Sequence, residues 1–462
     1  MNDHSCSEKL SAWVSSLQFD DLPEAVVRNT RLRVLDEIGL AIAGLGTDFG
    51  QSVRQTVLAL HPGGDCHIFG TGDATSITGA AFANGALAQA LEFDDTHNRS
   101  IVHMSAPAVA AALALSESGD QSGRDIITAI AAGNELSCRI GSVAPGQFHR
   151  RGFHPTGLFA TFGVTWLAGK LLGLNASQMT NAAGITGSFA AGLLQCWVDG
   201  TQSKFLHPGW AAQSGITAAT LGKHGTTGPV EVIEGRFGLL ASHLQDPDLA
   251  LDYDLLLNDL GEHWESENAS FKPFPVAHVI HPYIDALLRL RHAHDVDPAR
   301  VTKIICPVPE YIVGIVCEPL DEKRRPNTDS HGRVSLQFTL AEALVLGKIN
   351  KNSYTQESLA NSQIHQVADK VDFYVDADFP GPEQFKGQVI IELEDGTRLE
   401  EIEEYNRGSR NNPMTEEEVI EKFMTNSEDI LQPDMQAKLL EKTGELDTLP
   451  QANEIVQLTY PH

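Results

Sequence analysis

The apolar positions of the chain follow two periods. Up to about residue 270 they recur mostly at helical spacing. After Pro23, residues Val26, Val27, Leu32, Val34, Leu35, Ile38, Leu40 and Ile42 fit a helix closed by Gly44-Leu45-Gly46. Segments 76–92, 106–118, 123–143, 156–172, 177–196 and 209–224 read as further helices. Gly and Ala recur inside them often enough to weaken exposed helices, so the pattern predicts interior helices whose axes approach closely. Beyond residue 270, segments 301–308, 371–375 and 387–393 have strand character. The last meets Glu394-Asp395-Gly396-Thr397, a hairpin signal leading into 398–405. Segment 335–346 reads as a helix packed on that sheet, and from Thr415 an acidic helical pattern returns. The expected fold is mainly α with an α+β insert: a helical domain of 1–270 rejoined by 410–462, and an α+β domain of 271–409, the size of one domain.

Composition narrows the partners. Hydrophobic residues make up 42% of the 462 positions and charged ones 20%, as in soluble globular proteins. A formal net charge of -28 argues against nucleic acid and against an anionic membrane surface, and means that cations for an anionic substrate must be gathered locally. The six cysteines contain no C-x-x-C pair, which disfavours a zinc ribbon or a closely spaced iron–sulfur site and suits a reducing compartment. The N-terminus lacks a basic start and an apolar run, and no apolar stretch nears the ~18–20 residues of a membrane span, so a cytoplasmic location is expected. Gly44 to Gly50 and Thr71-Gly72-Asp73 fit neither a dinucleotide fingerprint nor a P-loop and read as turns.

Candidate chemistry lies on four polar links between small-residue helices. Residues Glu92 to His103 place three carboxylates, one threonine and two histidines within twelve positions, between two alanine-rich helices. Such a stretch suits a general acid/base site, and equally a capped helix junction in which Asp94, Asp95 or Thr96 bonds free amides. Asp94, His97 and His103 could chelate a metal by composition, but their spacing matches no ligand motif, and no metal is expected. Arg150-Arg151-Gly152-Phe153-His154-Pro155 sets His154 and two arginines at a helix start, a plausible anion corner. Lys204 is the only lysine between Lys170 and Lys223; it reads as a desolvated, carboxylate-pairing amine or as a snorkelling surface group. Phe271 to Pro282 is a proline-punctuated strap carrying Lys272, His278 and His281 at the domain junction, where small-molecule sites often lie. Converged, the four links would make a pocket rich in imidazole and amine, suited to holding a di- or tricarboxylate while a proton moves next to a carboxylate.

These blocks also carry a resemblance. Leu35-Asp36-Glu37-Ile38-Gly39, Glu92-Phe93-Asp94-Asp95-Thr96 with His103, Gly133-Asn134-Glu135, Gly152-Phe153-His154, Lys204 through Ala212, and Lys272-Pro273-Phe274-Pro275 with His281-Pro282 follow in order along the chain. In them the sequence resembles the MmgE/PrpD family, which includes 2-methylcitrate dehydratase, cis-aconitate decarboxylase and iminodisuccinate epimerase. The resemblance implies a large all-helical domain plus a smaller α+β lid domain, a pocket between them, no metal or nucleotide cofactor, and a homodimer. Its decarboxylase branch implies Thr96, His103, His154, Lys204 and Lys272 in the pocket, with His278 and His281 competing for a further position. Glu92 stands where that branch typically has Asp, and the Thr96–His103 spacing is one residue longer than expected there.

The expected activity is that of a cofactor-independent lyase on a small polycarboxylate, with an epimerase or isomerase and a non-catalytic carboxylate binder as alternatives. His103, Lys204 and Asp94 are the expected catalytic groups. Glu92, Thr96, His154, Lys272, His278, His281 and Arg151 are the expected substrate-binding groups. The acids beside His103 are expected to favour its protonated form, and His207 is expected just outside the pocket.

Overall fold

The computed structural model describes residues 4–381 and 384–460. Two separate apolar cores organise it. One is helical and draws on Cys6 through Ala269 together with Phe423 through Val456. The other runs from Phe274 to Ile391 and surrounds a small sheet.

The helical core is built on Ile77–Gln89, Ser105–Glu117, Gly123–Ser142, Thr161–Leu171 and His207–Lys223, which pack on one another. Their small residues permit this closeness. A Cβ at Gly209 would lie 2.3 Å from the Phe82 carbonyl oxygen, and one at Gly85 would lie 3.1 Å from Gly209 itself. Gly209→Ala is therefore expected to cost about 1–3 kcal/mol by overpacking, read as a lower melting temperature. The long helix Glu24–Leu45 packs against Ile77–Gln89 on one side and the returning helix Glu416–Ser427 on the other. Thr415 and Glu418 form a capping box that starts this last helix.

The second core holds a four-stranded sheet in which Val301–Val308 lies between Val371–Val375, parallel, and Gly387–Leu393, antiparallel, with Arg398–Glu403 at the far edge. The parallel pair requires a long crossover, and that crossover includes the helix Leu336–Leu346, started by Ser335. His281–His294 packs against the antiparallel pair. The three strand segments expected from the sequence coincide with those observed.

One expected helix, 177–196, is shorter. It runs only over Ala176–Thr186. Gly187 to Gln195 instead turns back, and Leu193 bridges to Phe153. Close packing forces this path: a Cβ on Gly157 would sit 2.0 Å from the Ala191 carbonyl oxygen. The helix expected over 156–172 likewise opens with a π-helical turn, Thr156–Ala160, before the regular helix. All six cysteines are buried and free. Among the described residues, no helix is long and apolar enough to cross a membrane.

Candidate active site

The link after Ile77–Gln89 is shaped by Glu92, whose φ of 54° is left-handed, an uncommon and mildly costly conformation for a side chain of this size. Four residues on, Thr96–His97 forms a two-residue antiparallel pairing with Ala269–Ser270, register Thr96 to Ser270. That pairing joins the first polar link to the strap that carries Lys272. The two neighbouring aspartates then take different work. Asp95 accepts from the Arg33 guanidinium, from the Ser105 backbone N–H at 3.1 Å and from the Ser105 hydroxyl at 2.5 Å, and so holds the start of helix Ser105–Glu117. Asp94 turns the other way, with Oδ2 3.2 Å from His103 Nδ1. The capping reading of this stretch thus applies to Asp95, while Asp94 is left facing His103.

A cavity of about 1100 Å³ opens between the two cores. Glu92, Thr96, His103, His154, Lys204, Lys272 and His278 all line it. Lys204 is buried rather than snorkelling, and its ammonium donates to Glu92 Oε1. Lys272 donates to the Glu92 carbonyl at 3.1 Å and lies 3.5 Å from the same Oε1. His103 Nε2 approaches that oxygen at 3.9 Å. Burial pushes the Glu92 carboxyl up, but Lys204, Lys272 and His103 outweigh it and hold it well below the usual carboxylate range. Three cationic or potentially cationic groups therefore converge on one permanent carboxylate.

The His103 ring is fixed from several sides. Nδ1 faces Asp94 Oδ2 and Thr96 Oγ1, the latter at 3.3 Å, while its backbone N–H donates to Thr156 Oγ1 at 2.9 Å. A carboxylate oxygen at Nδ1 favours the tautomer that carries its proton there and leaves Nε2 a lone pair. Burial lowers the His103 pKa; Asp94 opposes this, and the two lysines reinforce it. The adjoining Asp94 favours the protonated form, as expected, but burial and the two lysines outweigh it, so the net displacement is towards the neutral imidazole. His154, His278 and Lys272 are also pushed down, in each case chiefly by burial.

His154 meets the His207 ring, Nδ1 to Nδ1 at 2.8 Å, leaving its own buried Nε2 without a protein partner. His207 does not line the cavity; it stands behind His154. Between His278 and His281 the structure distinguishes clearly. His278 lines the cavity, with Nε2 2.8 Å from Asn406 Nδ2, whereas His281 lies behind it with Nε2 on the Val276 carbonyl at 3.1 Å. Asp94 likewise does not line the cavity and reaches it only through His103. Arg151 does not join the site: it donates to the Leu244 carbonyl at 2.8 Å and to Gln147 Oε1 at 2.8 Å, and neighbouring Arg150 lines the cavity instead. Arg151 is the C-cap of the short helix Gln147–Arg150, and its guanidinium turns back onto Gln147 of that helix.

Sequence reasoning missed Asn98, His149, Lys323 and His331, all of which line the cavity. Asn98 and His149 adjoin recognised blocks. Lys323 sits in Asp321-Glu322-Lys323-Arg324-Arg325, which reads as a solvated charge run and offers no signal.

Two family models match the chain: the MmgE/PrpD N-terminal domain over residues 8–252 and the MmgE/PrpD C-terminal domain over 274–447. Among curated relatives, a cis-aconitate decarboxylase-like protein of Aspergillus oryzae is 24% identical over 97% of this chain and 96% of its own length. The cis-aconitate decarboxylase of Mus musculus is 26% identical over 98% of this chain and 93% of its own. That of Aspergillus terreus is 27% identical over 91% and 88%. A helical core, a small mixed sheet and matches to both domain models, which together span most of the chain, establish that it belongs to the MmgE/PrpD family.

Proposed function

We propose that the protein is a lyase that removes carbon dioxide or water from a small di- or tricarboxylate, such as cis-aconitate or a methylcitrate-like acid, by moving a proton next to a carboxylate. The observation that carries this reading is an oriented imidazole, His103, beside the Lys204–Glu92–Lys272 cluster in one cavity, where burial favours its neutral form. A neutral imidazole with a free Nε2 can take or return a proton near neutral pH, the task of a general acid/base. Asp94 acts through it, holding the tautomer and stabilising the imidazolium when it forms. Lys204 and Lys272 offer charge-assisted hydrogen bonds to a substrate carboxylate, and Lys204 lies where it can oppose enolate-like charge. His154 lines the same space. The names of the relatives support decarboxylation ahead of dehydration.

The test is incubation of the purified protein with cis-aconitate, 2-methylcitrate and iminodisuccinate, with products followed by NMR. Lys204→Ala is expected to lower kcat by about a hundredfold or more while the helical signal is retained. Deuterium uptake from solvent without net conversion would replace the lyase by an epimerase. Neither exchange nor product across a broad panel of acids would leave a carboxylate binder.

A further inference from the structure

Four lysines are buried among the described residues: Lys204, Lys272, Lys323 and Lys422. Three of them have a carboxylate at hand. Lys204 and Lys272 share Glu92, and Lys422 pairs with Asp36 at 2.9 Å. Lys323 alone has no carboxylate within 4.0 Å among the described residues. Its ammonium donates to the carbonyls of Ile315 and Val334, each at 2.8 Å. An ammonium has three donors, so one N–H remains. The residue lines the cavity described above, together with His331. The adjoining acid, Glu322, also lines the cavity but is half exposed; it stands 4.0 Å from His331 Nε2 and acts on Lys323 only from beyond that distance.

A buried charge without a counter-ion is costly, and two carbonyl dipoles compensate it only in part. Burial pushes the Lys323 ammonium down to about 8, which is the mark of that incomplete compensation. The segment is also held firmly. The Ser335 hydroxyl donates to the Lys323 carbonyl, Thr328 Oγ1 donates to the Gly200 carbonyl at 3.2 Å, and Arg333 donates to the Leu91 carbonyl at 3.2 Å. Those last two contacts fasten the segment beside the links that carry Lys204 and Glu92. Lys204 and Lys272, by contrast, are already partly neutralised by Glu92, so they leave a substrate with several carboxylates under-compensated.

We infer that Lys323, flanked by His331, is an anion-binding subsite contributed by the α+β core, and that it takes a substrate carboxylate other than the one held by Lys204 and Lys272. The inference rests on the carboxylate reading of the cavity and sharpens it: the protein selects acids with a further carboxylate over shorter ones. The substrate then supplies the close countercharge that no described residue gives Lys323.

Calorimetric titration of the full chain, its Lys323→Met variant and its His331→Gln variant decides this, with propane-1,2,3-tricarboxylate and succinate as unreactive probes. The wild-type chain is expected to bind the tricarboxylate more tightly than succinate. Each variant is expected to lose about ten- to a hundredfold in tricarboxylate affinity, the scale of one charge-assisted hydrogen bond, with succinate affinity little changed. Unchanged tricarboxylate affinity in either folded variant overturns the subsite, and so does an equal loss for both acids, which marks a merely structural lysine. Should Lys323→Met fail to fold, His331→Gln alone decides. If the wild-type chain binds neither acid, the carboxylate reading of the cavity falls and takes the subsite with it.

Discussion

His103→Ala is expected to lower kcat by about a hundred- to ten-thousandfold, the range for removal of a general acid/base, with the far-ultraviolet circular dichroism unchanged. The ring is the one group in the cavity that combines an oriented carboxylate partner, Asp94, with an Nε2 facing the Lys204–Glu92 pair. Its pKa is displaced below the ordinary value of 6.5 by burial. The neutral form that takes a proton is therefore already populated at pH 7, and the acid limb of kcat/KM in the free enzyme is expected below pH 6.5. Asp94→Asn is expected to act through the same ring: it removes the countercharge to the imidazolium and moves that limb further down. An acid limb above 7, or a His103→Ala protein with wild-type kcat, would show that another group moves the proton.

Lys422→Met is expected to cost about 3–5 kcal/mol of stability in the helical core, the scale for removing one partner of a buried ion pair. The Lys422 ammonium donates to Asp36 Oδ2 and to the Phe93 carbonyl, both at 2.9 Å, and lies 4.1 Å from the Phe93 ring centre. Around it are Asp36, Glu37, Asp94 and Asp95, and both carboxyl oxygens of Glu37 lack a partner. Burial drives Asp36 up to about 6 even with Lys422 present, and drives Glu37 well above its ordinary value. Asp36 thus has a folded pKa above its unfolded one. Its favourable contribution is full below the unfolded value, near pH 4, and is lost as pH rises through about 6. Removing the cation raises Asp36 further, so the deficit of Lys422→Met is expected to narrow from pH 8 to pH 5. Denaturant midpoints across that range check it, and Asp36→Asn in the same chain is expected to restore part of the loss.

The strands at Val301–Val308, Val371–Val375 and Gly387–Leu393 were legible because each is a short apolar run bounded by turn residues. The helices were legible from their apolar spacing; the caps that start them, Ser122 with Asp125 and Ser335 before Leu336, are seen in the structure. The end of Ala176–Thr186 was not, because the competing force is the approach of Gly157 to a distant carbonyl, which has no local signature. Within the site, chemistry concentrated in one stretch could be read, and Glu92 through His103 does converge on the cavity. Direction could not. Neighbours in sequence point opposite ways, Asp94 to a histidine and Asp95 to a helix start, Arg150 inward and Arg151 to the backbone. Lys323 was invisible for a different reason: its charge run is polar in composition, yet the fold buries one member of it.

The pairing of Lys422 with Asp36 joins positions 386 residues apart. During synthesis from the N-terminus, Glu24–Leu45 emerges early, and its buried acids wait for a cation that the ribosome adds only after the whole sheet-bearing unit has been made. Contacts of such separation close slowly, and domains otherwise tend to fold in the order in which they emerge. The unit in the middle of the chain can therefore complete itself before the one that starts first.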